Sequence, residues 1–396
     1  MTTFARHFRI IALCLTFGFT VGASAQELNV LWSADHGDEL GAIAISPDGS
    51  LAASGSRYAY GSYAYGMLWD GDDGDPIEMF DNFSIYQDSI VHAAISADNQ
   101  LLAVGYVYPD FYNGYSRTDV FDIATHTRIG RYGGSSVCFS ADGSLVATGG
   151  GGFVRTVYVR DVATGDLLED VYTGDYIWAL DIAPDGSFFA AGTDDGTIRL
   201  WTIPDATPMP TLTTGTGKSI NSVAISPDSS LVAIGTAYEF GGPGTIVIWD
   251  AHTGELVQEL LGHQKTTRVS FSPDGRKLLS YGNGQIKVWR LMDGALLGTY
   301  DLTAYDAHYA ADASKIVYHD GNIMYVARAP FGLVGDINCD GVMNFDDIDP
   351  FVLALSGQAG YAAQFANCDW YNADVDGDGA VNFADVDAFV ALLSAQ

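Results

Sequence analysis

A short turn, Ser-Pro-Asp-Gly at residues 46–49, recurs in exact or altered form seven times along the chain. Around each copy apolar and polar residues alternate, and Gly, Asn, Asp or Pro interrupt the alternation. That pattern is typical of short antiparallel strands joined by tight turns. The turn aspartates are 50, 44, 43, 43, 46 and 38 residues apart: Asp48, Asp98, Asp142, Asp185, Asp228, Asp274 and Asp312. A period near 40–45 residues with four strands per unit predicts an all-β fold, a seven-bladed propeller.

Residues 262–289 form the clearest copy of the unit. It starts at Gly262-His263, passes through the turn and ends at Trp289. At these residues the chain resembles the WD-repeat propeller family, over roughly residues 27–330. Two copies, at Leu68-Trp69-Asp70 and Ile248-Trp249-Asp250, end in the family's Trp-Asp motif. The resemblance implies a disc-shaped platform for binding.

The last copy of the unit is one strand short. Its three strands are predicted at about 304–311, 315–319 and 322–328, and no fourth follows. Residues 27–32 align instead with 255–260, the outer strand of the fifth copy. We therefore expect the N-terminal strand to complete the last blade, because pairing the two chain ends removes exposed sheet edges.

Residues 1–25 have the order of a secretory signal peptide. Arg6 and Arg9 precede an apolar stretch from Ile10 to Gly22, and Ala23-Ser24-Ala25 follows. The apolar stretch is too short to cross a bilayer, and no other transmembrane segment is predicted. We expect cleavage near Ala25-Gln26 and a secreted, cell-envelope or periplasmic protein. The predicted organisation is a signal peptide at 1–25, a propeller at 26–330 and a C-terminal module at 331–396.

The composition is strongly acidic, with 49 Asp and Glu against 18 Lys and Arg. Such a surface repels phosphate backbones, so no nucleic-acid partner is expected. Thr214–Ser219 superficially resembles a phosphate-binding loop, but Leu212 stands where that motif needs Gly. No Ser-His-Asp, Cys-His or metal-ligand spacing identifies a catalytic site, and the chain is predicted not to be an enzyme.

Loops between the second and third strands are lengthened in the first, second and fifth copies, and they are rich in aromatic residues. Tyr offers a large apolar area with a polar tip, which suits contact with a protein or a carbohydrate. Packing of the rings on one another, to order the loops, is the alternative. The candidate binding face comprises Tyr58, Tyr60, Tyr63, Tyr65, Tyr106, Tyr108, Phe111, Tyr112, Tyr115, Tyr238 and Phe240.

After Pro330 the composition changes: residues 335–396 contain 11 Asp and no Lys, Arg or His. Two 12-residue segments with EF-hand-type spacing recur 38 residues apart. Calcium prefers six to eight oxygen ligands, supplied in such a loop by positions 1, 3, 5, 7, 9 and 12. Two calcium ions are therefore predicted. The first ligand set is Asp336, Asn338, Asp340, Val342, Asn344 and Asp347, and the second is Asp374, Asp376, Asp378, Ala380, Asn382 and Asp385, with both position-7 residues acting through their carbonyls.

A helix is predicted after each loop. Apolar residues at matching offsets are expected to line one face of each helix and to form a small core: Phe345, Ile348, Phe351, Val352 and Leu355, and Phe383, Val386, Phe389, Val390 and Leu393. Cys339 and Cys368 are the only cysteines of this segment, and a disulfide between them is plausible in an exported chain. Closing the 29-residue separation would contribute roughly 3–4 kcal/mol.

This loop-then-helix duplication resembles the dockerin family at residues 335–396. Dockerins attach secreted proteins to cohesin modules, so the resemblance implies a cohesin-like or envelope scaffold partner. Family contacts usually involve polar residues at loop positions 10 and 11, whereas this chain has Phe345-Asp346 and Phe383-Ala384. Three hypotheses follow: a non-enzymatic binding scaffold with a calcium-dependent docking module, a polysaccharide-processing component attached through a dockerin, and a module that only caps the propeller.

Overall fold

The computed structural model describes residues 28–394, apart from 58–63, 82–88, 108–115, 152–153, 215–218, 237–243, 264–267, 283, 303–305 and 311–313. The strands form seven four-stranded antiparallel sheets. The predicted seven-bladed propeller is therefore confirmed. The predicted signal peptide lies outside the described residues.

The ring is closed by a strand from the N-terminal end of the chain. Strand β1 (Val30–Asp35) pairs antiparallel with β28 (Ile323–Arg328), from Val30 opposite Ala327 to Asp35 opposite Ile323. It supplies the outer strand of blade seven, whose other strands are β26 (Asp306–Tyr309) and β27 (Lys315–Asp320). This pairing confirms the predicted closure.

Blades one to six each use four consecutive strands, from the innermost to the outermost. Blade one has β2 (Leu40–Ile45), β3 (Leu51–Ser56), β4 (Tyr65–Asp70) and β5 (Pro76–Asp81); blade two has β6 (Ser89–Ile95), β7 (Leu101–Val107), β8 (Ser116–Asp122) and β9 (Thr127–Gly133); blade three has β10 (Ser136–Phe139), β11 (Leu145–Gly149), β12 (Thr156–Asp161) and β13 (Leu167–Tyr172). Blade four has β14 (Ile177–Ile182), β15 (Phe188–Thr193), β16 (Thr197–Thr202) and β17 (Leu212–Thr213); blade five has β18 (Ile220–Ile225), β19 (Leu231–Thr236), β20 (Gly244–Asp250) and β21 (Leu256–His263); blade six has β22 (Arg268–Phe271), β23 (Lys277–Gly282), β24 (Gln285–Arg290) and β25 (Leu296–Asp301).

The core of the propeller lies between the blades. A separate apolar cluster fills each gap between neighbouring sheets, including the gap between blades seven and one. Leu68 of blade one and Ile90 of blade two, for example, are both fully buried in one such cluster. Burying a side chain of this size stabilises the fold by about 1.5–3 kcal/mol.

Hydrogen bonds repeat along with the strands. In blade one the Ser46 hydroxyl donates to Asp48 Oδ1 over 2.8 Å, and the Leu51 amide donates to the Ser46 Oγ over 2.9 Å. The same two bonds recur at the corresponding turns of blades two, three and five. The side chains of the repeated turn thus tie the first strand of a blade to the second, which explains why Ser and Asp recur there.

Two buried His-Ser-Trp networks lie in the described part of the chain, and in each the His comes just before the blade that supplies the Ser and the Trp. In blade six the indole of Trp289 donates to Ser280 Oγ over 2.8 Å, and Nε2 of His263 lies 2.8 Å from the same oxygen. In blade one Trp69 donates to Ser54 Oγ over 2.8 Å, and Nδ1 of His36 lies 2.8 Å from it. The blade-one network was not predicted, because Asp35 precedes His36 where the repeat motif would have a Gly.

The C-terminal module is small and mainly helical. Helix α1 (Ile348–Ser356) follows the first loop and α3 (Asp385–Ser394) follows the second, while α2 (Gln358–Gln364) lies between them. Phe351 and Phe389 stack at the centre with ring centroids 4.2 Å apart.

Part of the predicted helical core is wrong. Phe345 and Phe383 are 75% and 81% exposed, and Val352 and Val390 are 59% and 54% exposed. Both Phe residues precede the α-helix of their unit, so the helical spacing does not carry them into the core. The interior is completed instead by residues outside the predicted faces, including Ile337, Ala354, Tyr361 and Ala373.

Candidate functional site

The two acidic loops share one backbone conformation. Positions 4 and 6 have positive φ in both: Cys339 and Gly341 at 55° and 86° in the first loop, and Gly377 and Gly379 at 78° and 86° in the second. Glycine adopts this region without steric cost, which accounts for its presence at position 6 of each loop. The conformation curls the loop, and in the second loop it brings the carboxylates of Asp374, Asp376 and Asp378 close together.

Each loop is closed by the carboxylate at position 12. Asp347 accepts backbone N–H groups from Ile337, Asn338 and Asn344 over 2.7, 3.0 and 2.9 Å. Asp385 accepts the equivalent three amides, from Val375, Asp376 and Asn382, over 2.7, 3.1 and 2.9 Å. Both carboxylates are fully buried.

The carboxylate at position 1 also takes backbone amides in both loops. Asp336 accepts from the amides of Asp340 and Gly341 over 3.2 and 3.1 Å, and Asp374 accepts from those of Gly377 and Gly379 over 3.1 and 3.2 Å. These bonds hold the carboxylates toward the interior of the loops.

The donor set of these loops suits a hard cation. Each loop offers carboxylate, amide and carbonyl oxygens, the ligands that calcium prefers. In the second loop, one carboxylate oxygen from each of Asp374, Asp376 and Asp378 lies within 4.8 Å of the others. In the first, burial and then the negative charges of Asp347 and Asp340 raise the pKa of Asp336 to about 6. The crowding of like charges is what a bound cation would offset.

A disulfide joins Cys339 to Cys368, with the two Cα atoms 5.6 Å apart. It links position 4 of the first loop to the segment just before the second loop. Asn372, which is 1% exposed, reinforces the same junction by donating to the carbonyls of Phe331 and Asp336 over 2.8 and 3.0 Å. The first loop is therefore anchored from within the module.

One side of the module packs on blade six. The buried ammonium of Lys277 donates to the Gly332 carbonyl and to Asn372 Oδ1 over 3.0 and 2.9 Å. Arg290 pairs with the buried carboxylate of Asp369 at 2.8 Å, and its guanidinium lies 4.5 Å above the ring of Tyr371. Lys277 lies at the turn between the first and second strands of blade six, and Arg290 lies at the turn between the third and fourth. Successive turns of an antiparallel sheet lie at alternate ends, so both turns are on the face opposite the connection between the second and third strands. The module therefore occupies the face opposite the lengthened aromatic loops.

Four of the exposed apolar side chains of the module lie at equivalent positions of its two halves. We call Phe345, Val352, Phe383 and Val390 the duplicated apolar patch. Phe345 corresponds to Phe383, and Val352 to Val390, at the 38-residue spacing of the loops. All four are more than half exposed while the module is packed on blade six.

Only two residues of the predicted aromatic face lie in the described part of the chain. Tyr65 is partly buried, stacks on His36 with centroids 4.5 Å apart and donates to the His36 carbonyl. Tyr106 is 1% exposed and belongs to the core between blades one and two, so its assignment to a binding face is wrong. The other nine, all in or beside the lengthened loops, lie outside the described residues.

Another aromatic group on that face was missed by the sequence analysis. Tyr172 and Trp178 are 66% and 49% exposed, and Arg155 lies 4.2 Å over the ring of Tyr176. The Trp178 indole donates to Asp194 over 2.9 Å, in the loop between the second and third strands of blade four. The clustering of three aromatic residues within 172–178 was the available signal, but it falls between blades and not in a lengthened loop.

The innermost strands surround a central cavity of about 610 Å³. Its buried Asp306 lies 3.3 Å from Arg268 Nε and 3.1 Å from His308 Nε2. Burial by itself would raise the pKa of Asp306, but Arg268, His308 and His319 together outweigh burial and the pKa is lowered. The carboxylate is therefore neutralised by its own neighbours.

Comparison with known proteins agrees with the blade geometry. Residues 168–202, 207–250 and 254–290 match the WD domain, G-beta repeat family, and the chain thus contains WD40 repeats within a seven-bladed propeller. The match covers strands of blades three to six. It agrees with the prediction that the protein is not an enzyme.

Three relatives illustrate the similarity. WD repeat-containing protein SL1-17 of Schistosoma mansoni is 34% identical over 42% of this chain and 54% of its own length. Nuclear distribution protein PAC1-2 of Uncinocarpus reesii is 32% identical over 44% of this chain and 41% of its own. Protein groucho of Drosophila melanogaster is 26% identical over 43% of this chain and 23% of its own. The chain thus spans between about a quarter and about half of these curated relatives.

Among the described residues, no helix is both long enough and apolar enough to cross a bilayer.

Proposed function

We propose that this protein is an exported, non-enzymatic interaction scaffold whose propeller carries a calcium-binding docking module. The observation that carries the proposal is the twofold repetition within the module. Two loops with matching hydrogen bonds each contain an exposed Phe at position 10, and an exposed Val follows each loop at an equivalent position. The similarity of the propeller to WD-repeat chains supports the scaffold role.

Each loop would bind one calcium ion through the oxygens at positions 1, 3, 5, 7, 9 and 12. Asp336 and Asp374 at position 1, and Asp347 and Asp385 at position 12, are already held in place by backbone amides. Calcium, when bound, supplies the positive charge that these clustered carboxylates lack. The loops in turn fix the N-terminal ends of α1 and α3, and with them the duplicated apolar patch.

The duplicated apolar patch is the docking surface of this proposal. Large apolar side chains exposed at symmetry-equivalent positions mark a surface that a protein partner covers. Because Phe345 and Phe383 occupy the positions that are polar in dockerins, we infer a partner that offers an apolar pocket. The module is rich in Asp and has no basic residue, so the rim of that pocket should be neutral or basic.

Export is supported by residues 1–25 and by the Cys339–Cys368 disulfide, since disulfides persist in oxidising compartments. The propeller would then serve as the cargo or platform that the module attaches to a secreted or envelope-bound partner.

The test uses the chain without residues 1–25 as bait on secreted and envelope fractions, with calcium and with a chelator. We expect the unaltered bait to capture a stoichiometric partner only when calcium is present. The double variant Phe345→Ser/Phe383→Ser should not capture it. Tyr172→Ser, on the opposite face of the propeller, is the matched control and should retain it. Equal capture by the double variant, or capture unaffected by chelator, would contradict the proposal.

A further inference from the structure

Blade six breaks the propeller repeat at three positions, and all three carry a cation. Arg276 and Lys277 directly follow Asp274-Gly275 of the repeated turn. Arg290 directly follows Trp289, near the end of the third strand. Blades one to five have neutral and apolar residues at the first two positions, and Asp or Thr at the third. The equivalents are Ser50-Leu51, Gln100-Leu101, Ser144-Leu145, Ser187-Phe188 and Ser230-Leu231, and then Asp70, Asp122, Asp161, Thr202 and Asp250.

All three cations contact the C-terminal module. Lys277 and Arg290 bind Asn372 and Asp369, which lie just before the second acidic loop. Arg276 reaches the loop itself: its Nη1 donates to the backbone carbonyl of Asp374 and lies 3.8 Å from the carboxylate of that residue. A side chain at Gly377, position 4 of the loop, would approach Nη2 of Arg276 within 3.2 Å.

Blade six therefore supplies the positive charge nearest to position 1 of the second loop. Asp374 is 4% exposed, and the Arg276 guanidinium lies 3.8 Å from its carboxylate. A guanidinium in this place stabilises the ionised carboxylates of the loop without any metal. The same positive charge disfavours the arrival of a divalent cation.

We propose that Arg276 of the propeller sets the calcium affinity of the second loop, so that calcium binding and docking of the module on blade six oppose each other. This inference rests on the proposed calcium function. Coupling between two sites is reciprocal: if docking lowers the affinity for calcium, calcium lowers the affinity of docking by the same factor. Lys277 and Arg290, which do not touch the loop carboxylates, keep the module attached while the Arg276 contact weakens.

The first loop serves as an internal reference for this proposal. In each loop, three backbone amides at equivalent positions donate to the position-12 carboxylate, whereas Arg276 contacts only the second loop. A change that acts through Arg276 must therefore alter one of the two calcium affinities and leave the other.

The test is calorimetric titration of the chain without residues 1–25 with calcium chloride. Arg276→Ser introduces the residue found at this position in blades one, three, four and five. We expect one of the two sites, the second loop, to bind calcium about five-fold tighter in this variant, a factor at the lower end of typical coupling. Arg276→Lys keeps the charge and should restore the original affinity. Arg199→Ser, which removes an equal charge from an ion pair in blade four, should change neither site.

Hydrogen exchange provides a second readout on the unaltered protein. Calcium should speed exchange at the amides of Arg276 and Lys277 if it weakens docking. Equal affinities in Arg276→Ser and the unaltered chain, or weaker binding in the variant, would overturn the inference while leaving the calcium proposal intact. An unaltered chain that binds no calcium would overturn both.

Discussion

The propeller and the C-terminal module are both built by repetition, but different interactions hold their repeats together. Each blade buries an apolar face against the next, and one cluster fills each of the seven gaps. The module contains its loop-and-helix unit twice. Buried carboxylates close the two loops, and a disulfide joins the first loop to the segment before the second. From this difference we expect the stability of the propeller to be indifferent to metal and redox conditions, and that of the module to depend on both.

The largest effect is expected where a position-12 carboxylate is removed. Asp385→Ala deletes the fully buried carboxylate that accepts three backbone amides. At about 1.5 kcal/mol or more per bond to a charged group, the module should lose about 5 kcal/mol of stability. Hydrogen exchange of peptides within residues 348–394, measured at increasing urea concentration, reports this loss for the module.

Asp387→Ala is the matched control, because Asp387 is an exposed residue of the first turn of the same helix. It should change the stability by no more than about 0.5 kcal/mol. Similar losses in the two variants would mean that the hydrogen bonds accepted by Asp385 do not stabilise the module, and the contrast with the propeller would fail.

The disulfide should give the second-largest effect. Replacing Cys339 and Cys368 by Ser removes a constraint over 29 residues and should cost the module roughly 3 kcal/mol. Calorimetric melting of the unaltered chain with and without dithiothreitol should reproduce the loss, and the reductant should not affect the double variant. An unchanged melting profile after reduction would contradict the assignment.

A smaller loss is expected in the propeller from Ser280→Ala in blade six. The substitution leaves the Trp289 indole and the His263 ring without their shared oxygen, which should cost about 1–2 kcal/mol. Ser54→Ala in blade one should behave alike, since Trp69 and His36 share its hydroxyl. Unfolding curves of both variants measure the loss of stability. A variant as stable as the original chain would refute the expected contribution of its serine.

The last expected effect is a dependence of propeller stability on pH. Burial lowers the pKa of His36 and of His263 from 6.5 to about 4 in the folded chain. The unfolded chain therefore binds more protons between pH 6.5 and 4, and stability present above pH 6.5 is lost as the pH falls through that window. His263→Gln should flatten the dependence of unfolding free energy on pH between 7 and 4.5; an equally steep curve would show that this ring does not contribute.

Much of the propeller could be predicted, because each blade repeats local hydrogen bonds that demand the same residues, as at Ser46 and Asp48. Closure of the ring also followed from a pattern, the likeness of residues 27–32 to an outer strand. Periodicity alone could not show where a helix begins, and Phe345 and Phe383 were therefore wrongly assigned to the core. The buried network around His36 lacked the Gly-His sequence that revealed its counterpart at His263.

Docking of the module on blade six was beyond prediction for a different reason. Contacts between two folded units depend on how their surfaces meet, and no local spacing encodes that. The signal lay in departures from the repeat: Arg276, Lys277 and Arg290 replace residues that are neutral, apolar or acidic in most other blades. Deviations from a repeat can thus be as informative as the repeat itself.

The central claim is that calcium organises the C-terminal module and leaves the interblade core unchanged. Hydrogen exchange measured by mass spectrometry, with calcium and with chelator, tests it directly because both regions are read in one experiment. We predict that calcium protects peptides covering residues 336–347 and 374–385, while the inner strands of blades one to four exchange equally in both conditions. Loops that exchange at the same rate with and without calcium would contradict the account.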